Sequence, residues 1–131
     1  MKSEASLQER LIRKHKKEGW YVAHLSPPNH PGFPDLIAVK NCKIVMIEVK
    51  DFEKIGPREK MANVFQKSQP PFYLEQLGYG NRVFVFGYLK DNVVVFQINS
   101  VQMVTNLFAM GRDDFLLEYS YIFDFESQIS N

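Results

Sequence analysis

The 131-residue sequence is poor in cysteine and contains no long apolar run. Because Cys42 is its one cysteine, the chain can form no internal disulfide and no metal site built from several cysteines. No stretch approaches the roughly 20 consecutive apolar residues that cross a bilayer, and the first four residues lack the apolar core of a signal peptide. We therefore expect a soluble, intracellular (cytoplasmic) protein with no membrane partner, in which oxygen ligands hold any bound metal.

The composition is that of one globular domain with a hydrophobic core. Hydrophobic residues make up 45% of the chain and charged residues 24%. The length leaves no room for a second full domain. We expect one domain, with a core over about residues 6–98 and a C-terminal extension over about 99–131.

The net charge of +1 hides an asymmetry along the chain. Residues 1–90 carry 15 Lys or Arg against 9 Asp or Glu, whereas residues 91–131 carry 1 against 6. The basic part would suit an anionic partner such as nucleic acid, although ordinary solvated faces would explain the same balance.

Periodicity and turn residues predict the element order α, β, β, β, α, β, β. Ser6 and Glu9 have the spacing of a capping box at the start of the first helix. A short helix and an acidic aromatic tail, expected to form an extra strand or a packing arm, follow the last strand. The predicted elements are a helix over 6–18, strands over 20–25, 35–39 and 43–50, a helix from about 70 to 78, strands over 82–88 and 92–98, and the short helix over 101–110.

Three charged residues lie on the hairpin of the second and third predicted strands. Asp35 begins one strand, and Glu48 and Lys50, two residues apart, share one face of the next. Such charges are costly to bury in an apolar strand unless they are paired or hold a metal. Two carboxylates, a backbone carbonyl and waters form the oxygen-rich environment that Mg2+ or Mn2+ prefers. The chemistry indicated is phosphodiester hydrolysis.

This pattern resembles the signature of the PD-(D/E)xK nucleases. Pro34-Asp35 is followed after twelve residues by Glu48-Val49-Lys50. The longer pattern, residues 32–35 followed by residues 47–50, is similar to that of virus-type replication-repair (VRR-NUC) nucleases and Holliday junction resolvases. The resemblance covers about two-thirds of the chain. It implies an α/β fold with a restriction-endonuclease-like core, in which helices flank a mixed central sheet.

The resemblance also implies roles for individual residues. Asp35, Glu48 and the Val49 carbonyl would bind Mg2+ or Mn2+, and Lys50 would be the catalytic lysine. A glutamate on the first helix completes the metal shell in many members, and Glu9 stands where it is expected, although a capping box alone would explain Glu9.

A glutamine that opens the helix after the core strands is common in such relatives. Gln69 is the better match and Gln66 the alternative, while the prolines after Gln69 depart from the usual helical sequence. Tyr73 is interpreted as a core or interface residue.

We expect the partner to be DNA, structured or branched, and the protein to be a metal-dependent endonuclease acting as a homodimer. A non-cleaving DNA-binding or assembly module on the same fold is the alternative, and a structural protein without a nucleic acid partner is a third reading. The residues expected to contact DNA are Arg10, Arg13, Lys14, Lys17, Lys54, Arg58, Lys60, Gln66 and Lys67.

Overall fold

A computed structural model of the chain describes residues 3–25 and 32–129. Within these ranges the predicted order of elements is confirmed through the short helix that follows the fifth strand. One further helix and one short strand come after it at the C-terminal end. None of the described helices is long and apolar enough to span a membrane. The helices are α1 (Glu4–Lys17), α2 (Gln69–Tyr79), α3 (Val101–Ala109) and α4 (Arg112–Tyr119), and the strands are β1 (Tyr21–His24), β2 (Leu36–Lys40), β3 (Lys43–Asp51), β4 (Arg82–Leu89), β5 (Asn92–Ile98) and β6 (Tyr121–Ile122).

The six strands form one mixed sheet in the order β1-β2-β3-β4-β5-β6. Strands β3 and β4 are parallel, and the other neighbouring pairs are antiparallel. The β2–β3 hairpin turns through Asn41 and Cys42, both with positive φ, which suits the right-handed twist of the strands. The prediction that the apolar strand β3 is central is confirmed.

The sheet has a hydrophobic layer on each face. Leu11 of α1 packs in one cluster with Ile47 and Val49 of β3, whereas α2, α3 and α4 contribute to the other cluster. Because side chains alternate along a strand, Glu48 and Lys50 point away from α1 and toward the α2 face. Glu48 and Lys50 are therefore covered by α2 and by the segment that precedes it.

Helix α1 begins two residues earlier than predicted. Ser3 is the N-cap, and its hydroxyl and that of Ser6 accept reciprocal hydrogen bonds from each other's backbone N–H groups, at 3.0 and 3.1 Å. The prediction that Ser6 and Glu9 form the capping box is wrong, because Ser3 and Ser6 fill its two positions. Glu9 instead lies within the helix, as an exposed residue.

The C-terminal extension contains a helix that the sequence analysis did not predict. The α4 residues were predicted to be part of an acidic tail. Asp113 and Asp114 lie in the first turn of α4, where negative charge stabilises a helix N-terminus. The tail itself forms the expected strand, β6, and a packing arm. Phe123 contacts Phe86 of β4 with ring centroids 5.0 Å apart.

Arg112 ties this extension to the segment that follows β3. Its side chain is buried, and Nη1 donates to the carbonyl oxygens of Ile55, at 2.7 Å, and Phe52, at 3.3 Å. The Met61 N–H also donates to the Met110 carbonyl, at 3.0 Å. The extension therefore holds the chain between β3 and α2 in place.

Gly87 of β4 provides a test of this packing, because it pairs with Lys50 in the parallel register. A Cβ at Gly87 would lie 2.5 Å from a ring carbon of Phe52 and 2.8 Å from the Lys50 carbonyl oxygen. We expect Gly87→Ala to lower the free energy of unfolding by about 1–3 kcal/mol through overpacking, measured by urea denaturation. Gly56→Ala is the control, since a Cβ there meets no atom within 4 Å. Equal stability of the two variants would contradict the prediction.

Candidate active site

The β2–β3 hairpin places Asp35 beside Glu48. The register pairs Leu36 with Ile47, so Asp35 and Glu48 take the next positions along the two strands and share a face. Asp35 Oδ2 accepts a hydrogen bond from the Val49 N–H at 2.7 Å. The structure therefore brings together the two carboxylates that the sequence analysis selected.

Glu48 is buried with too little positive charge around it. Its exposed fraction is 2%, and Lys50 Nζ lies 3.4 Å from Glu48 Oε2. Burial, and next the negative charge of Asp35, raise the pKa of Glu48 from 4.5 to about 8, although Lys50 opposes this shift. Glu48 Oε1 is buried and has no hydrogen-bond partner among the described residues. A cation bound here would offset the negative charge of the two carboxylates.

The Val49 backbone faces the same site. Its N–H points toward Asp35, and in a β-strand the N–H and C=O of one residue point to the same side. The register of β2 ends at Ile47, so β2 has no residue opposite Val49. The Val49 carbonyl is therefore directed to the Asp35 side, beyond the end of the β2 ladder.

The N-terminus of α2 packs against the loop that carries Asp35. A Cβ at Gly32 would lie 2.5 Å from the Ser68 carbonyl oxygen, so only glycine allows this approach. Gln69 is the first residue of α2, is 5% exposed, and accepts a hydrogen bond from the Gln66 N–H at 2.9 Å. Gln66 is exposed. Of the two candidate glutamines, Gln69 is the one enclosed beside this loop.

Tyr73 is a residue of this region that the sequence analysis interpreted only as core. It lies one turn after Gln69, is fully buried, and its hydroxyl has no hydrogen-bond partner among the described residues. Burial and the negative charges of Glu48 and Asp35 raise the pKa of Tyr73 well above its usual range. The spacing of four residues after Gln69 on one helix was the available signal.

The structure does not bring Glu9 together with the two carboxylates. In residues 3–25 and 32–129 no group of three or more His, Cys, Asp or Glu side chains is placed to hold a metal ion. Glu9 lies two residues after Leu7 and two before Leu11, the buried positions of α1, and is exposed. Its role as a ligand stays a prediction.

The basic residues of α1 lie on the opposite face of the sheet from Glu48. The Arg10 guanidinium stacks 4.0 Å from the Phe125 ring centroid. Lys14 pairs with Glu18 at 2.6 Å and donates to the Ser127 carbonyl. Arg13 and Lys17 are exposed. Part of this basic set therefore serves the packing of the C-terminal segment.

The second basic set lies in the segment that joins β3 to α2. Lys54 lies 3.4 Å from Glu4, and Lys60 Nζ donates to the Ala109 carbonyl at 2.9 Å. Both lysines are exposed, as are Arg58 and Lys67. The segment that carries this set packs in the cluster on the α2 side of the sheet through Phe52, Ile55 and Met61, while Lys54 reaches Glu4 at the start of α1.

A cavity of about 560 Å³ lies elsewhere, between α1, the sheet and the C-terminal segment. Its lining includes His15, Trp20 and Phe86, and neither Asp35 nor Glu48 is part of it. The carboxylate pair therefore belongs to the other face of the sheet, outside this cavity.

Comparison with known proteins shows the fold. No protein-family model matches the chain, and no curated protein matches its sequence. A solved structure, the Holliday junction resolvase Hjc of the archaeal hyperthermophile Archaeoglobus fulgidus, matches with a TM-score of 0.50 and 17% identity over 76% of this chain and 74% of that chain. The chain is therefore similar to a resolvase in fold. The predicted α/β fold with a restriction-endonuclease-like core, a mixed sheet flanked by helices, is confirmed.

The raised pKa of Glu48 predicts how stability depends on pH when no metal is present. Between pH 4.5 and about 8 the folded protein keeps a proton that the unfolded chain has lost, so the free energy of unfolding falls as the pH rises. We expect this contribution, on the order of a few kcal/mol, to disappear in Glu48→Gln. Urea denaturation in EDTA at pH 5 and pH 8 measures it.

The exposed carboxyl group of Glu118 provides the control, as Glu118→Gln. This variant should keep the pH dependence of the wild type. Parallel pH profiles for the wild type and Glu48→Gln would contradict the prediction.

Proposed function

We propose that this protein is a metal-dependent endodeoxyribonuclease of the PD-(D/E)xK type, related to VRR-NUC nucleases and junction resolvases, which hydrolyses phosphodiester bonds in structured or branched DNA. The observation that carries the proposal is the cluster of half-buried Asp35 with buried Glu48 and Lys50 at one end of the β2–β3 hairpin, on a fold similar to that of a resolvase. The residue types and the fold support the same chemistry.

The donor set suits a hard divalent cation. Asp35 and Glu48 supply carboxylate oxygens, and the Val49 carbonyl is directed to the same place. The buried, unpartnered Glu48 Oε1 is what a cation or its bound water would satisfy. Bound there, Mg2+ or Mn2+ would neutralise charge on the scissile phosphate and lower the pKa of a water molecule.

Lys50 performs the second part of the chemistry. Its ammonium group, 3.4 Å from Glu48 Oε2, can donate one hydrogen bond to this carboxylate and another to a water molecule beside the phosphate. The water is then oriented for in-line attack, and a positive charge stands where negative charge grows on the phosphate. Burial of Lys50 and Glu48 strengthens both interactions.

Gln69 is proposed to assist from the first turn of α2, where its amide is held by Gln66. Glu9 keeps the proposed role of a further ligand only if α1 presents it differently when DNA is bound. The metal site proposed here rests on Asp35, Glu48 and Val49.

DNA would approach over the segment between β3 and α2. Lys54, Arg58, Lys60 and Lys67 are exposed there, in the segment that directly follows the strand of Glu48 and Lys50. Such residues neutralise phosphates without reading sequence, which fits a substrate recognised by its shape. A homodimer is the arrangement that would give two active sites for the two strands.

Lys50→Ala tests the enzyme directly. We expect the wild type to cleave a labelled four-way junction in Mg2+ or Mn2+ but not in EDTA, with linear duplex and single-stranded DNA as comparison substrates. The variant should lose at least about 100-fold in rate, since it removes a charge next to the reacting phosphate. Gel electrophoresis of the products measures the cleavage.

Lys43→Ala, at the other end of β3, is the matched control and should cleave like the wild type. Junction binding without any cleavage by the wild type would exclude the nuclease and favour the non-cleaving module. Loss of both binding and cleavage would leave the structural protein.

The DNA surface is tested by a pair of double variants. We expect Arg58→Ala/Lys67→Ala to weaken junction binding and to reduce the slope of log K against log salt by about 2, because each phosphate contact contributes about 0.9. Arg13→Ala/Lys17→Ala, on α1, removes the same charge and should change both quantities little. Fluorescence anisotropy over a salt series measures them, and equal effects of the two double variants would refute the assignment.

A further inference from the structure

Three buried side-chain polar atoms in the described part of the chain have no hydrogen-bond partner. One of them, Trp20 Nε1, lies away from the carboxylate pair. The other two, Glu48 Oε1 and the Tyr73 hydroxyl, both lie on the α2 side of the sheet. Buried polar groups are nearly always paired with protein or with an ordered water, so two unpaired atoms on the same side of the sheet indicate that something binds there.

Tyr73 is fixed in this place by aromatic packing. Its ring meets that of Phe65 edge to face, with centroids 5.7 Å apart, and Lys50 Nζ lies 5.4 Å from the Phe65 ring. Tyr73 is therefore in a chain of contacts with Lys50. Its hydroxyl, as an ordinary phenol, is able to donate one hydrogen bond.

Packing alone does not account for a tyrosine at this position. Phe65, Phe72 and Phe96 fill the same hydrophobic cluster without a polar atom, and Tyr73 is 0% exposed. A phenylalanine would provide the same apolar ring and would avoid burying an unpaired hydroxyl. The hydroxyl is therefore the part of Tyr73 that needs a role.

We propose that Tyr73 is a positioning residue of the active site, whose hydroxyl donates a hydrogen bond through one bound water to Glu48 Oε1. This bridge satisfies both buried atoms and holds the Glu48 carboxylate in the orientation that binds a divalent cation. Gln69 lies one turn earlier on α2 and is also buried. The inference rests on the proposed metal site.

Tyr73→Phe tests this role, because it removes one oxygen and keeps the ring. We expect the affinity of the full chain for Mn2+, measured by isothermal titration calorimetry, to fall about 10- to 100-fold, as when other groups that orient a metal ligand are removed. In cleavage assays the variant should lose kcat and keep the KM for DNA, since Tyr73 is too deeply buried to contact the backbone.

Tyr88→Phe is the matched control, a buried tyrosine on the other face of the sheet whose hydroxyl lies 3.5 Å from that of Ser6. It should bind Mn2+ and cleave as the wild type does. Wild-type affinity for Mn2+ in Tyr73→Phe, or an equal loss in Tyr88→Phe, would overturn the proposal.

A Raman measurement separates this inference from the proposed function. The tyrosine Fermi doublet reports whether a hydroxyl donates, and the difference spectrum between wild type and Tyr73→Phe in EDTA isolates Tyr73. A donating hydroxyl supports the bridge to Glu48, and a hydroxyl that does not donate overturns it. If the wild type neither binds Mn2+ nor cleaves DNA, the proposed function fails, and the spectrum still decides whether the bridge exists.

Discussion

The pairing of the buried Glu48 carboxylate with the half-buried Asp35 carboxylate is the constraint on which the site depends. Burial, and next the negative charge of Asp35, raise the pKa of Glu48 to about 8. Lys50 supplies one positive charge and does not remove the shift. Keeping two carboxylates together beside the central strand lowers the stability of the fold. Groups with a perturbed pKa of this kind are typical of active sites.

The surrounding structure holds this pair from several directions. Pairing of β2 with β3 sets Asp35 opposite Glu48, and the hydrogen bond from the Val49 N–H fixes the Asp35 carboxylate. Gly32 lets the Asp35 loop reach the first turn of α2, which carries Gln69. Farther away, Arg112 holds the segment after β3 through backbone carbonyls. The C-terminal extension thus supports the site without contributing a reacting group to it.

Prediction from the sequence succeeded where one local signal was strong. The hairpin was predicted because an apolar run surrounds a short turn, and α2 because two prolines suit a first turn and glycines end it. The N-cap of α1 was assigned to Ser6 instead of Ser3, because Ser6 and Glu9 also have the spacing of a capping box. It missed α4, where only Phe115 and Leu116 of the apolar residues are buried and Leu117 is exposed.

The residue types of the site and their place on one hairpin follow from the sequence alone, because the two-residue period of a strand and the spacing along the chain are local properties. Tertiary structure decided the rest. It separated Glu9 from the carboxylates, placed α1 and its basic residues on the face opposite Glu48, and buried the Tyr73 hydroxyl on the α2 side of the sheet. These outcomes depend on how α1 and α2 pack on opposite faces, and that packing is set by the fit of whole surfaces, which no local pattern encodes.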